Sequence, residues 1–217
     1  MDIAIIGTGA VGSALGRGWS RAGHRIRYGT ANPADRKHVS VASAAGQAQV
    51  ETVSAAALNA EVIVLAVPWE AVPDVVKAIG PSAGKLVIDA TNPLCAGANG
   101  LGLAVGHETS GGEMVAALLP ESRVVKTMNQ VGFSVMDSTQ GYPTTPTMFV
   151  AGDDGDARAA AMELVADLGF APLDAGPMRV ARLLEPYAML WIHMAVNQNS
   201  PPTGAFALMQ LTEGVST

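Results

Sequence analysis

Short apolar runs alternate with longer alanine-rich segments along much of the chain. The runs are rich in Val and Ile and are bounded by Gly, Pro or Asp, a pattern typical of strands buried on both faces of a parallel sheet. The segments between them carry apolar residues at helical spacing. The pattern predicts strands at Ile3–Ile6, Val62–Val67, Leu86–Ala90 and Val124–Thr127, a more polar strand at His24–Gly29, and helices at Val11–Ala22, Pro68–Ile79 and Glu113–Leu119.

This alternation predicts an α/β fold with a doubly wound parallel sheet. Further helices are expected at Asp156–Leu168, capped by Asp153 or Asp154 and ending at Gly169, and at roughly Pro177–Val196, where the internal Pro186 should cause a kink. No internal repeat or low-complexity linker interrupts the chain. We expect residues 144–217 to form a small α/β appendage packed tightly on a domain of residues 1–143.

The segment between Cys95 and Gly112 is rich in glycine and contains His107 and Glu108. This composition is typical of a mobile loop over a ligand, and equally of a flexible crossover. Ser110 and Glu113 at its end form a possible capping box for the next helix.

Glycines at the first predicted strand–helix turn have the spacing G-x-G-x-x-G, formed by Gly7, Gly9 and Gly12. The first glycine permits the tight turn, the second lets the backbone approach a pyrophosphate, and the third lets helix and strand pack closely. The N–H groups at the start of the helix then face the phosphates. Because the motif lies directly between a strand and a helix, it predicts a dinucleotide site rather than a merely structural turn.

The end of the second strand distinguishes NAD from NADP. An acidic residue there would bind the ribose 2′-hydroxyl of NAD, but the tip reads Tyr28-Gly29-Thr30-Ala31-Asn32-Pro33. Thr30 and Asn32 can donate hydrogen bonds to a 2′-phosphate, and Arg36 or Lys37 can supply positive charge, although Asp35 lies beside them. These residues favour NADP.

Distinctive residues also follow the other strands, where ligands of open α/β sheets bind. Val67, Pro68 and Trp69 follow the Val62–Val67 run, with Pro68 and Trp69 as possible walls on the adenine–ribose side. Polar residues that could hold the nicotinamide and its ribose are Thr91, Asn92, Lys126 and Asn129, although each could instead satisfy a turn.

Composition narrows the class of protein. Charged residues make up 15% of the 217 residues, against roughly 25% in an average domain, so we expect part of the surface to pack against a second subunit. The net charge is −6 and no basic run occurs, which argues against nucleic-acid binding. The single cysteine, Cys95, rules out an intramolecular disulfide and a cysteine-based zinc site, and we expect it to be buried and inert.

The N-terminal residues Met1-Asp2 lead directly into an apolar run without a basic segment or cleavage site. No uninterrupted apolar stretch approaches the ~18 residues that a membrane span requires. We therefore expect a cytoplasmic protein that does not enter the membrane.

The motifs, taken in order, resemble those of the NADPH-dependent F-420 reductase family, and the cytoplasmic reductase domains of the STEAP metalloreductases are similar. The resemblance implies a Rossmann domain that binds NADP, a small C-terminal domain that completes a cleft, and a homodimer. The segments that carry it are Gly7–Gly12, Val67-Pro68-Trp69-Glu70, Asp89-Ala90-Thr91-Asn92-Pro93-Leu94, Lys126-Thr127-Met128-Asn129, Gly152-Asp153-Asp154, Leu173-Asp174-Ala175-Gly176-Pro177 and Ala181-Arg182-Leu183-Leu184-Glu185.

The resemblance also implies particular cofactor contacts. Residues after the first glycine, here Thr8, Gly9, Ala10 and Val11, would contact the pyrophosphate, and the regions of Val67, Asn92 and Asn129 would lie against the cofactor. The family typically has Gly-Ser-Arg at the 2′-phosphate, whereas this chain has Gly29-Thr30-Ala31. The hydroxyl is kept and the arginine is lost, unless Arg36 substitutes for it.

The expected function is hydride transfer between NADPH and a flat redox coenzyme, either the deazaflavin F-420 or a flavin. Such a reaction needs stacking and a dry cleft rather than a general base. The alternatives are reduction of a small carbonyl or imine, which needs a proton donor such as Lys126, and a protein that senses NADP without turnover. No metal-ligand spacing is present in the sequence, and no metal site is expected.

The sequence leaves the catalytic residues open, with Asn129, Lys126 and His193 as candidates. His193 lies in the last predicted helix, whose apolar face would serve the core or a dimer interface. His24 and His38 have surface-like contexts and are expected to be solvated, while His107 could touch substrate. The spacing of Arg182 and Glu185 predicts an exposed pair.

Overall fold

A computed structural model describes residues 1–97, 100–198 and 200–211 of the chain. These residues form ten strands and eight helices, with short 3-10 turns at Trp69–Ala71 and Met178–Val180. The strands are β1 (Asp2–Ile6), β2 (Arg25–Thr30), β3 (Gln49–Thr52), β4 (Val62–Leu65), β5 (Leu86–Asp89), β6 (Leu94–Gly97), β7 (Gly100–Leu103), β8 (Arg123–Lys126), β9 (Thr147–Gly152) and β10 (Ala171–Gly176). The helices are α1 (Ala10–Arg21), α2 (Lys37–Ala44), α3 (Val53–Leu58), α4 (Val72–Ile79), α5 (Gly111–Leu118), α6 (Phe133–Asp137), α7 (Gly155–Asp167) and α8 (Ala181–Asn197).

Eight of the strands form one sheet in the order β10-β9-β8-β5-β4-β1-β2-β3. Neighbouring strands are parallel except for β8 and β9. The chain winds outward in both directions from β1, which lies between β2 and β4. This arrangement confirms the prediction of a doubly wound, Rossmann-type fold. In such sheets a crevice is expected where the strand order reverses, here at the carboxyl ends of β1 and β4.

Two apolar layers cover the faces of the sheet. The larger layer contains residues of α1, α6 and α7, including the fully buried Trp19, whose Nε1 donates a hydrogen bond to the carbonyl of Leu164 at 2.8 Å. Residues of α3, α4 and α5 form the other layer. Burial on both faces explains the continuous Val and Ile runs in the central strands.

The last part of the chain extends the same sheet. β9 runs antiparallel to β8 and pairs only near its own end, where Val125 lies opposite Gly152 and Lys126 opposite Ala151. β10 then pairs with β9 in parallel. The expected boundary between residues 143 and 144 falls in the connection from α6 to β9, and the division into two domains stays a prediction.

Two predicted segments differ from the structure. The expected loop between Cys95 and Gly112 begins with a hairpin, because β6 and β7 pair antiparallel with Cys95 opposite Gly102. Its glycines hid the strand pattern, since they supply no β-branched side chains. The final helix begins at Ala181 rather than near Pro177, because a 3-10 turn precedes it. Among the described residues, no helix is both long and apolar enough to cross a membrane.

Candidate functional site

The three glycines of the first turn have different surroundings. Gly7 has a φ of 114°, which L side chains rarely adopt, and a Cβ there would overlap the carbonyl oxygen of Ala66. A Cβ at Gly12 would overlap the carbonyl oxygen of Gly7. Around Gly9, by contrast, no heavy atom of the described residues, apart from Gly9 and its neighbours along the chain, lies within 4 Å of the position that a Cβ would take. Two glycines therefore permit close packing within the turn, while the third leaves room for a ligand.

The amino end of α1 is suited to an anion. Gly9 is its N-cap residue, no side chain caps it, and its first turn holds no acidic residue. The Ser13 hydroxyl donates instead to the carbonyl of Thr8 at 3.0 Å, which stabilises the turn itself. The first N–H groups of α1 thus lack a side-chain acceptor, and the pyrophosphate of a dinucleotide fits this position.

A cleft of about 460 Å³ opens beside this helix end, at the carboxyl ends of β1, β4 and β5. It brings together six residues that the sequence assigned to cofactor binding, and Trp69 and Thr91 line it as well. The residues lining it are Gly9, Ala10, Val11, Ala66, Val67, Pro68, Trp69, Glu70, Ala90, Thr91, Asn92 and Leu94.

Asn129 lies behind the cleft. Its Nδ2 donates to Oδ1 of Asn92 at 3.1 Å, while Nδ2 of Asn92 donates to the Asn129 carbonyl at 2.8 Å. The Gln130 side chain donates to Asn129 Oδ1 at 3.1 Å and also binds the backbone of Phe149. Asn129 is buried and its amide holds Asn92 in place, while Gln130 joins the segment after β8 to β9.

Lys126, a candidate proton donor, lies in a buried cluster with Asp89 and Glu185. Its Nζ is 2.9 Å from Asp89 Oδ2, 3.1 Å from Glu185 Oε1 and 2.7 Å from the Thr91 carbonyl, to which it donates. Asp89 Oδ1 accepts from both the N–H and the hydroxyl of Thr91, at 3.0 and 2.6 Å. The ammonium group of Lys126 is therefore occupied by three acceptors, and this geometry favours a structural role for it.

Glu185 reaches this cluster from α8 and caps α5 at the same time. Its two carboxylate oxygens accept from the N–H groups of Gly111 and Gly112, each at 2.9 Å. Its neighbour Arg182 instead makes two hydrogen bonds to Glu113, at 2.8 and 2.7 Å. The predicted exposed pair of Arg182 and Glu185 is therefore wrong, because the face of α8 that carries both residues packs on α5.

The Ser110 and Glu113 capping box is present. Ser110 caps α5 by accepting from the Glu113 N–H at 3.2 Å, and its hydroxyl donates to the Glu113 carboxylate at 2.8 Å. The Arg182 guanidinium, followed by the Ser110 hydroxyl, holds the pKa of Glu113 below its usual value.

The residues predicted to contact a 2′-phosphate lie at and beyond the carboxyl end of β2. Thr30 is 8% exposed, and its hydroxyl oxygen has no hydrogen-bond partner among the described residues. Asn32 and Arg36 are exposed beyond it, with Arg36 at the start of α2. His38, which was expected to be solvated, is only 4% exposed, and its Nδ1 lies 3.0 Å from the Thr8 hydroxyl. That expectation was wrong because α2 folds back over the glycine turn.

The other histidines lie away from the cleft. His24 is not free in solvent as expected, since its Nε2 lies 2.9 Å from Asp167. His107 lines a different cavity of about 570 Å³ between β7 and α8, with Arg179 and Arg182. His193 is exposed on α8, where its Nδ1 lies 3.0 Å from the Asn197 side-chain nitrogen, so its contacts give it no role in the cleft.

Cys95 is exposed on β6, which corrects the expectation of a buried thiol. The hairpin presents alternate residues outward, and its sequence neighbour Leu94 faces the cleft. Within the described ranges, no group of three or more His, Cys, Asp or Glu side chains could hold a metal ion.

Comparison with known proteins shows that this chain is similar to reductases. The model of the family described as NADP oxidoreductase, coenzyme F420-dependent, matches residues 2–93. The metalloreductase STEAP3 of Rattus norvegicus is 26% identical over 183 residues, which cover 84% of this chain. The match covers 35% of that protein, so the chain spans about a third of the length of this curated relative.

Solved structures agree. A candidate F420-dependent NADP-reductase of Arthrobacter sp. FB24 has a TM-score of 0.86 and 26% identity, with 97% of this chain and 100% of that chain covered. A hypothetical protein of Sinorhizobium meliloti has a TM-score of 0.73 and 29% identity, covering 85% and 90%. A reductive aminase of Aspergillus terreus, solved with NADPH and ethyl levulinate, shares the fold at 17% identity and a TM-score of 0.68, covering 89% of this chain and 61% of that chain.

The resemblance indicated by the sequence motifs is therefore confirmed. Residues 2–93 match the model of the coenzyme F420-dependent NADP oxidoreductases, and the chain as a whole is similar to proteins described as reductases.

Proposed function

We propose that this chain transfers a hydride between NADP(H) and a flat redox coenzyme of the deazaflavin or flavin type. The observation that carries the proposal is the chemistry of the cleft. Among its described lining residues, Glu70 is the only one with a titratable side chain, and it is exposed. A site without a buried acid or base suits a reaction in which hydride alone moves between two stacked rings.

The residues of the chain would bind and orient the dinucleotide. The amino end of α1 supports the pyrophosphate, and the space at Gly9 lets the backbone approach it. Pro68 and Trp69 line the cleft, and so does Asn92, whose side chain is held in place by Asn129. The bound nicotinamide supplies or accepts the hydride at its carbon 4.

The shape of the cleft supports turnover rather than sensing. A sensor without activity would be expected to have its cleft blocked by side chains of the last helix. No α8 residue lines this cleft, whose lining is mostly apolar and therefore suited to a planar ring.

Reduction of a carbonyl or imine has less support in this site. It requires a proton donor near the nicotinamide, and Lys126, the predicted donor, is bound by Asp89, Glu185 and the Thr91 carbonyl. The shared fold of a reductive aminase does not alter this, because the fold alone does not determine the acceptor.

The test is optical measurement of NADPH oxidation with coenzyme F-420, free flavins, a ferric chelate and a panel of carbonyls and imines. We expect turnover with F-420 or a flavin, and none in the Gly9→Asp variant. Turnover with a carbonyl or imine alone would replace the proposed acceptor. Tight binding of NADPH without turnover on any acceptor would refute the proposed reaction.

A further inference from the structure

We infer that His38 determines the preference of this site for NADP over NAD, by acting with Thr8 and Thr30 on the 2′-phosphate. The inference rests on the proposed function, because it assumes that the cleft holds a dinucleotide. His38 would take the place of the arginine that the similar reductases typically have where this chain has Ala31.

The position of His38 comes from two turns that lie side by side. The Gly7 N–H donates to the Gly29 carbonyl at 3.1 Å, so the glycine turn lies against the end of β2. Thr8 follows Gly7 in the chain, and Thr30 follows Gly29. The adenosine ribose of a dinucleotide binds at the end of this strand in Rossmann folds, which places its 2′ position near both threonines.

Unused hydrogen-bonding capacity marks the same place. The Thr30 hydroxyl is buried and has no partner among the described residues, which is costly unless a ligand or water provides one. The Thr8 hydroxyl is held by Nδ1 of His38 at 3.0 Å. Two hydroxyls and an imidazole therefore belong to the two adjoining turns, where a 2′-phosphate would need donors.

The surrounding charges leave the imidazole available. Asp35, the acid nearest in sequence, accepts from the Lys37 N–H at 3.0 Å and pairs with the Lys37 ammonium at 3.0 Å. Its carboxylate is thus satisfied by Lys37, while only its backbone carbonyl receives the His38 N–H. Arg36 is exposed in solvent. His38 is the buried basic side chain in contact with the glycine turn.

A 2′-phosphate would accept hydrogen bonds from the Thr30 hydroxyl and from the imidazole. Hydrogen bonds to an ionised acceptor such as a phosphate are roughly twice as strong as hydrogen bonds between neutral groups. The ribose 2′-hydroxyl of NAD carries no charge and would gain little from His38. Loss of the imidazole should therefore weaken binding of the phosphorylated ligand selectively.

The test compares pairs of ligands that differ only in this phosphate, one pair without the nicotinamide and one pair with it. Binding of adenosine 2′,5′-bisphosphate and of 5′-AMP is measured by calorimetry, and binding of NADPH and NADH by fluorescence, for the wild type, His38→Ala, His38→Gln and Lys77→Gln. The last variant removes an exposed lysine charge from α4, on the opposite face of the sheet from α2, and serves as the control.

We expect both His38 variants to bind adenosine 2′,5′-bisphosphate about tenfold to a hundredfold more weakly. Binding of 5′-AMP should stay within about twofold, and the control should keep the wild-type ratio. A merely structural His38 would weaken both ligands together, so an unchanged ratio in folded variants would overturn the inference. A wild type that binds both ligands equally would also overturn it, whereas one that binds no adenine nucleotide at all would refute the proposed function with it.

Discussion

Lys126 Nζ and Glu185 Oε1 lie 3.1 Å apart, and both side chains are at most 1% exposed. Lys126 ends β8 and Glu185 belongs to α8, so this ion pair joins the sheet to the last helix. Asp89 completes the cluster from the neighbouring strand and holds Thr91 at the edge of the cleft. The position of Thr91, which lines the cleft, thus depends on the carboxylate of Glu185 in α8.

Removal of Glu185 should destabilise the protein strongly. Glu185→Ala leaves the N–H groups of Gly111 and Gly112 without acceptors and takes one of two carboxylates from the buried Lys126. Breaking a buried pair on one side typically costs about 3 to 5 kcal/mol. Urea denaturation followed by circular dichroism measures the free energy of unfolding.

Arg182→Ala is the matched control on the same face of α8. Its guanidinium is partly exposed and pairs with Glu113, so the loss should be at most about 1 kcal/mol. Equal losses of unfolding free energy in Glu185→Ala and Arg182→Ala would contradict the prediction that the buried cluster contributes more to stability than the partly exposed pair.

Gly9→Asp should abolish dinucleotide binding and leave the fold intact. Gly9 has an extended backbone with φ of −69°, and Asp is a favourable N-cap residue for α1. Its carboxylate would occupy the space of the pyrophosphate and repel it. Binding of NADPH by fluorescence and melting by calorimetry are the measurements.

Gly12→Ala, in contrast to Gly9→Asp, should reduce the stability of the fold. Its Cβ would overlap the Gly7 carbonyl oxygen, so we expect a loss of about 1 to 3 kcal/mol in stability. NADPH affinity like that of the wild type in Gly9→Asp would contradict the assignment of the turn as a phosphate site.

Tyr28 should make stability depend on alkaline pH. Burial, opposed in part by Arg17, raises the pKa of Tyr28 from 10.0 to about 12. The folded state therefore keeps its proton where the unfolded chain loses it. The contribution of Tyr28 to the free energy of unfolding is complete below pH 10. It falls by up to roughly 2 to 3 kcal/mol as the pH rises from about 10 to about 12.

Tyr28→Phe isolates this effect, because the other tyrosines remain in both proteins. The Tyr28 hydroxyl has no hydrogen-bond partner among the described residues, so the variant should be as stable as the wild type or more stable at pH 7. Parallel stability curves for the two proteins between pH 9 and 12 would refute the prediction.

The expected homodimer should depend on a stripe of exposed apolar residues along α8. Leu183, Pro186, Leu190 and Met194 follow one another at helical spacing and remain exposed, with Leu190 52% exposed. Leu190→Glu should give a monomer in sedimentation velocity. Leu58→Glu on α3, where Leu58 is 68% exposed, should keep the wild-type state. A wild type that sediments as a monomer at micromolar concentration would refute the dimer.

Sequence patterns were sufficient for the central elements of the fold. Continuous apolar runs gave β1, β4, β5 and β8 because these strands are buried on both faces. The edge strand β3 was not predicted, since its residues Gln49–Thr52 are mixed in polarity and half exposed. β10 was not predicted either, because Pro172 and Asp174 interrupt its pattern.

The site was predictable where it depends on local backbone. The glycine spacing and the capping box act within a few residues, so their roles could be inferred from order along the chain. Glu185 binds Gly111, 74 residues away, and Asp89 binds Lys126, 37 residues away. Such partners come together only through the order of the strands, and for that reason the buried cluster and the His38 contact were missed.

The exposed thiol on β6 makes the protein unusually easy to observe. Cys95 is the single cysteine of the chain, and its neighbour Leu94 lines the cleft. A maleimide fluorophore would therefore attach at one position, at the edge of the cleft, without any engineered mutation. The emission of this fluorophore would report the entry of a ligand into the cleft in real time.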